Sequence, residues 1–202
     1  MTPRAAASAL AQSALRKSGE SVETQRRFFA DNAEALAVCA EALAGRFEGG
    51  GRLFVVGNGG SACDAQHVAV EFMHPIFEKR RALPAQALTV DSALLTAVGN
   101  DDDFAQGFVK QLRLLARPGD ALLALSTSGQ SAGVVRALRA ARELGLLTIG
   151  FTGRDGGRLP ELCDHCFIVP SFSIHRIQET HTALLHVLWD LVHVCLGEED
   201  VL

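Results

Sequence analysis

The sequence predicts an α/β fold, a parallel β-sheet covered by helices on both faces. Three observations carry this. From residue 53 onward, five short apolar runs recur, each the length of a strand. Each is followed by a stretch of helical periodicity or a glycine-rich loop, and alternation of that kind implies a parallel sheet. With 48% hydrophobic residues among 202, the chain can bury such a sheet from both sides.

The elements follow in order. Residues 4–47 are dominated by Ala, Leu, Glu and Arg at helical spacing. Ser18–Gly19–Glu20 is expected to divide this region into two helices, and Gly49–Gly50–Gly51 to stop the second. "RLFVVG" (52–57) reads as the first strand, with a helix from about 61 to 73. "AQALTV" (85–90) reads as the second, followed by a helix toward Val98 and another over 104–116. "DALLALS" (120–126) is the third strand and leads into a helix through "AGVVRALRAAREL". "LLTIGF" (146–151) is the fourth, with a glycine-rich loop and a short "LPELC" after it. "CFIVP" (166–170) is the fifth and precedes a long helix over 174–196. Repeats, low-complexity linkers and a second domain are not evident. The chain reads as one domain over 1–202, with N-terminal helices over 1–47 and the sheet with its flanking helices over 52–196.

Composition narrows the function. The formal charge is −4, which argues against nucleic acid as a partner, since phosphate backbones are held by clustered Lys and Arg. "EKRRA" (78–82) is the only basic run and is too short to carry such a role. Ser and Gln break the apolar N-terminal stretch, so no signal peptide is expected. The apolar stretch 182–196 is interrupted by His186, Asp190 and His193 and is too short to span a bilayer. Five scattered cysteines suggest free thiols in a reducing compartment, hence a soluble, cytoplasmic protein without membrane contact. "CDHC" (163–166) has C-x-x-C spacing, but it lacks the second pair of a zinc knuckle and runs into a strand where a redox motif would open a helix.

In parallel sheets, ligands sit beyond the carboxyl ends of the strands, which selects the loops "GNGGS" (57–61), "STSGQS" (126–131) and "TGRDGG" (152–157). "STSGQS" joins a strand to a helix N-terminus, where free N–H groups and the helix dipole attract an anion. Gly129 allows close approach, and Ser126, Thr127, Ser128 and Ser131 supply hydroxyls. One serine would satisfy a turn or a cap; four hydroxyl residues favour a phosphate. Without the lysine of a P-loop, the anion expected is a phosphate monoester and not a nucleoside triphosphate. "GNGGS" makes the same transition but is not G-x-G-x-x-G, so a small ligand touched by Asn58 and Ser61 fits better than a dinucleotide.

His67 and Glu71 share a helix face at i, i+4, a spacing that suits a divalent metal, a hydrogen-bonded pair, a base, or a solvated face. In the last helix, His175 and His193 read as packing or capping residues. Gln178 and His186 lie about 12 Å apart along that helix, so a shared small ligand would need one of them from another subunit. In "VGNDDDF", Asn100 and Asp101 suit a turn with an N-cap; the acidic residues would repel phosphate, so a ligand contact there would be to sugar hydroxyls.

Taken in order, "GNGGS…H-x-x-x-E", "GND", "STSG-x-S" and "RIQE…H" resemble the sugar isomerase (SIS) domain and, more closely, the phosphoheptose isomerases, over about residues 30–196. The resemblance implies a three-layer α/β/α sandwich with a five-stranded parallel sheet. It also implies a homotetramer built through the N-terminal helices, with active sites shared between subunits. It places substrate contacts at Asn58, Gly59, Gly60, Glu71, Asn100, Asp101, Ser126, Thr127, Ser128, Ser131 and Gln178. Zinc, one ion per subunit, would be held by His67, Glu71, Gln178 and His186. The implied reaction converts sedoheptulose 7-phosphate to D-glycero-D-manno-heptose 7-phosphate through an enediol, with Glu71 as base and His186 as acid. Its product would supply nucleotide-activated heptose for a surface polysaccharide.

Met73–His74–Pro75 departs from the Thr-Gly-Arg of the family, whose arginine meets the substrate; Lys79, Arg80 and Arg81 are candidates to replace that charge. Two other readings stay open. One is a non-catalytic SIS protein that senses a sugar phosphate or binds the replication initiator. The other is an isomerase of a different phosphorylated ketose or aldose.

Overall fold

The structure, a computed structural model, describes residues 3–76 and 79–200. Residues 1–2 and 201–202 of the single-domain reading and Glu78 of "EKRRA" lie outside the described residues. Five strands form one sheet: β1 (Leu53–Gly57), β2 (Ala85–Ala87), β3 (Ala121–Ser126), β4 (Leu147–Gly153) and β5 (His165–Val169). All pair in parallel, in the order β2-β1-β3-β4-β5. The helices are α1 (Pro3–Glu48), α2 (Gly60–Met73), α3 (Ser92–Asp101), α4 (Gly107–Leu115), α5 (Ala132–Glu143) and α6 (Ile174–Cys195). A 3-10 turn, Phe104–Gln106, precedes α4.

Successive strand side chains point to opposite faces, so the continuous apolar runs serve two cores. Leu53, Val55, Leu123, Leu125, Ile149, Phe151 and Phe167 pack with α1, α2 and α6 on one face. Phe54, Val56, Leu122 and Ala124 pack with Phe108 and Leu112 of α4 and Val134 and Leu138 of α5 on the other. The result is the expected three-layer arrangement.

The differences have local causes. Residues 3–48 form one helix, not two. Ser18–Gly19 does not break it because Gly19 faces open space and lacks the clash a proline would bring; glycine in a helix costs only about 1 kcal/mol. Phe28, Leu36, Cys39, Ala40, Leu43 and Phe47 bury the second half of α1, whereas Leu10, Leu15 and Val22 are exposed. Strand β2 stops at Ala87, since Leu88 turns inward, its N–H donating to Val55 O (2.9 Å), and Asp91 caps α3 by accepting from Leu94 N (2.8 Å). The short "LPELC" after β4 forms turns. Asn100 and Asp101 close α3, and the N-cap role in that segment falls to Asp103, which accepts from Ala105 N at 2.9 Å. Among the described residues, no helix is long and apolar enough to cross a membrane.

Candidate active site

The chain runs from β1 to β2 on one side and reaches β3 on the other, so the crevice between the ends of β1 and β3 is the topological switch point of the sheet. Two helices begin there, α2 after β1 and α5 after β3, and neither receives a side-chain cap. Ser131 holds the N-cap position of α5, but its hydroxyl accepts from the Asn58 amide across the crevice at 2.7 Å. The first-turn N–H groups of α5 are thereby left for something other than the usual cap.

Asn58, Ser61, Leu125, Ser126, Thr127, Ser128, Ser131 and Gln178 surround a cavity of about 140 Å³ at this point. Two close approaches shape it. Gly129 adopts φ +62°, and a Cβ there would collide with the Gly156 carbonyl of the loop after β4. Gly60 lets the Gln178 amide of α6 rest on its backbone, where a Cβ would strike it. Hydroxyls, an amide and uncapped helix N–H groups around so small a volume suit one tetrahedral anion.

A second cluster lies two turns along α2. His67 Nε2 is 3.2 Å from Glu71 Oε1, as the i, i+4 spacing allows. His186 of α6 brings its Nε2 to 3.3 Å from His67 Nε2, the two rings meeting edge to face at 78°. The three donor atoms lie within 4.8 Å of one another. Burial, reinforced by His67, holds the His186 pKa below the ordinary histidine value, with Glu71 opposing. Asp64, one turn before His67, is pushed above the usual carboxylate range by burial.

Zn–N bonds of about 2.0–2.1 Å in a tetrahedron set ligand atoms roughly 3.3 Å apart. The His67–Glu71 and His67–His186 separations of 3.2 and 3.3 Å match that spacing. Gln178 stands in the serine cavity of the same chain, away from this cluster.

The remaining sequence candidates are placed as follows. Gly59 is the exposed residue ahead of α2. Asn100 and Asp101 are exposed, with the Asn100 amide donating to Asp101 Oδ1 at 2.6 Å, and line neither the serine cavity nor the apolar groove beside His67. The basic residues after α2 turn toward the C-terminus: Lys79 pairs with Glu199, Arg80 with Asp190 and Arg81 with Glu198. All three candidates to replace that charge are thus paired with acidic residues near the C-terminus. His193 is buried and bonded to Glu198 at 2.9 Å, and His175 is exposed, both outside the cluster. Cys163 and Cys166 pack against Gly150 and are free thiols.

Sequence reasoning missed Trp189, whose indole N–H donates to the Glu71 carbonyl at 2.9 Å. The signal was present: it is the chain's sole tryptophan and follows His186 by three residues.

Comparison with known proteins matches residues 19–153 to the SIS domain. The phosphoheptose isomerase of Roseiflexus sp. (strain RS-1) is 45% identical over 179 residues, covering 89% of this chain and 91% of the relative. That of Aquifex aeolicus (strain VF5) is 44% identical over 181 residues, 90% of this chain and 95% of the relative. Among solved structures, the phosphoheptose isomerase GmhA of Neisseria gonorrhoeae superposes with a TM-score of 0.85 at 38% identity, over 91% of this chain and 98% of that one.

Proposed function

The chain belongs to the phosphoheptose isomerase family of SIS-domain proteins, and from that premise we propose how its residues work. It is an aldose–ketose isomerase that interconverts sedoheptulose 7-phosphate and D-glycero-D-manno-heptose 7-phosphate. The observation that carries this reading is the pairing of an anion cradle at the switch point with a carboxylate–imidazole cluster along the same two helices, α2 and α6. In an open-chain heptose 7-phosphate the reacting carbons C1 and C2 lie at the end remote from the phosphate. A site with its anion cradle and its acid–base groups well separated suits such a substrate.

Ser126, Thr127, Ser128 and Ser131 hold the phosphate with the first-turn N–H groups of α5. Asn58, Gly59, Gly60, Ser61 and Gln178 flank it, and Asn100 and Asp101 meet sugar hydroxyls across an interface between copies. Glu71 removes the proton from the carbon beside the carbonyl, and His186 protonates the carbonyl oxygen, giving the enediol. Burial lowers the His186 pKa, so its protonated form gives up a proton more readily than an ordinary histidine does. Glu71 Oε1 faces His67, which leaves Oε2 for the substrate proton.

Zinc fits the donor set. His67, Glu71 and His186 would hold it, and when bound it supplies polarisation of the substrate carbonyl. Gln178 of the same chain stands about 12 Å along α6 from His186, so its service as a ligand calls for a second copy's Gln178. A homotetramer with shared sites is supported by the free half of α1, which exposes Leu10, Leu15 and Val22, and by the apolar groove lined by Val70, Met73 and Val90 beside His67. Five free cysteines suit a cytoplasmic location.

The sensor and initiator-binding readings lose ground because the acid–base cluster is intact. A coupled assay across a panel of ketose phosphates tests the reading. Turnover is expected on sedoheptulose 7-phosphate; turnover only on another sugar would change the substrate, and none on any would remove the enzyme.

A further inference from the structure

Helix α2 ends two residues after Glu71, and its last carbonyls need donors from outside the helix. His74 N–H serves Val70 O at 2.8 Å. In the common left-handed cap, the residue after the C-cap gives its N–H to the Glu71 position. Here that residue is Pro75, which has no N–H. The Glu71 carbonyl is instead met by the Trp189 indole N–H at 2.9 Å.

Trp189 is nearly buried, at 3% exposure, and lies one helical turn beyond His186. Its ring is held in turn by Arg80, whose guanidinium carbon sits 4.6 Å from the ring centroid while the same group pairs with Asp190. Arg80 itself comes from the segment that leaves α2, just past the Met73–His74–Pro75 departure from the family pattern.

We propose that Trp189 is a positioning residue for Glu71: its indole N–H replaces the backbone donor that Pro75 removed and fixes the last turn of α2 against α6 at the level of His186. A base must sit within hydrogen-bond reach of the proton it takes, and a shift of a fraction of an ångström in Glu71 changes turnover more than binding. The phosphate cradle, at the other end of α2, is untouched. This inference rests on the reading of Glu71 as the base.

Trp189→Phe removes the donor and keeps an aromatic ring, though a smaller one, between Arg80 and α2. It is expected to lower kcat about tenfold on the assigned sugar phosphate while KM stays within about twofold. Pro75→Gly restores an N–H and the freedom to adopt a left-handed cap, so the double variant is expected to regain most of the lost kcat, and Pro75→Gly alone to stay near wild type. Wild-type kcat in Trp189→Phe, or a loss that the second change does not restore, would overturn the inference. Should Trp189→Phe fail to fold, the wild-type protein still decides: its one indole N–H must be protected from hydrogen exchange, and exchange at the rate of free tryptophan contradicts the bond. The two levels separate cleanly. A fully active Glu71→Gln sinks the base itself, whereas an inactive Glu71→Gln beside a fully active Trp189→Phe sinks only the role of Trp189.

Discussion

The Asn58 amide reaches across the crevice between β1 and β3 and donates to the Ser131 hydroxyl at 2.7 Å. That bond keeps the most favourable capping group of α5 off its own helix. It therefore links a loop on one strand to the anion affinity of a helix on the next.

Asn58→Ala should free Ser131 to cap α5 and compete with the phosphate. KM is expected to rise about tenfold, the worth of one hydrogen bond to a charged group, with kcat little changed. Steady-state kinetics check this, and an unchanged KM would separate Asn58 from the cradle.

Ser128→Ala should behave in the same way. Ser128 also accepts from Gln130 N at 3.2 Å, so some loosening of the turn is expected with it. A loss confined to kcat would contradict a phosphate-holding role.

His181 predicts a pH dependence of stability. It is wholly buried, its Nε2 lies 3.1 Å from the Thr152 carbonyl, and burial lowers its pKa to about 4. Below its unfolded value of 6.5, the unfolded chain binds a proton that the native state refuses. Stability is therefore full above pH 6.5 and is lost as pH falls toward about 4. Denaturant titrations should show a loss of about 2 kcal/mol between pH 7.5 and 5. His181→Gln should remove that share of the pH dependence; an identical pH slope in the variant would contradict the assignment.

Protein purified without chelator should carry about one zinc per chain, and His67→Ala should lose it. Elemental analysis reads this directly. Metal-free wild-type protein with full activity would remove zinc from the account.

The free half of α1 should be an interface. Glutamate at Leu10, Leu15 and Val22 together is expected to reduce the proposed tetramer to smaller species by light scattering. An unchanged mass would place the contact elsewhere.

The sheet was legible because its strands are buried on both faces: "LFVV" and "ALLAL" are unbroken apolar runs with hydroxyls and glycines at their ends. The lining of the small cavity at the switch point was legible in part, because Ser126, Thr127, Ser128 and Ser131 are neighbours in the chain. His67 and Glu71 were legible as an i, i+4 pair, but which of several roles they served depended on α6 coming alongside. What stayed hidden depends on tertiary context. Gly19 looked like a break, yet nothing near it punishes a continuous helix. Asn100 and Asp101 have turn chemistry but end a helix. Trp189 reads as one more apolar residue of α6 until Pro75, 114 positions earlier, is seen to lack the N–H that the Glu71 carbonyl needs.

The central claim is that Glu71 moves the proton in a heptose phosphate isomerase. The direct measurement is kcat on sedoheptulose 7-phosphate for wild type and Glu71→Gln, with binding of the same sugar phosphate measured in parallel. The account predicts wild-type conversion to the aldose, a fall of about 10²–10⁴ in kcat for the variant, and binding held within a few-fold. Turnover by Glu71→Gln at the wild-type rate would contradict it.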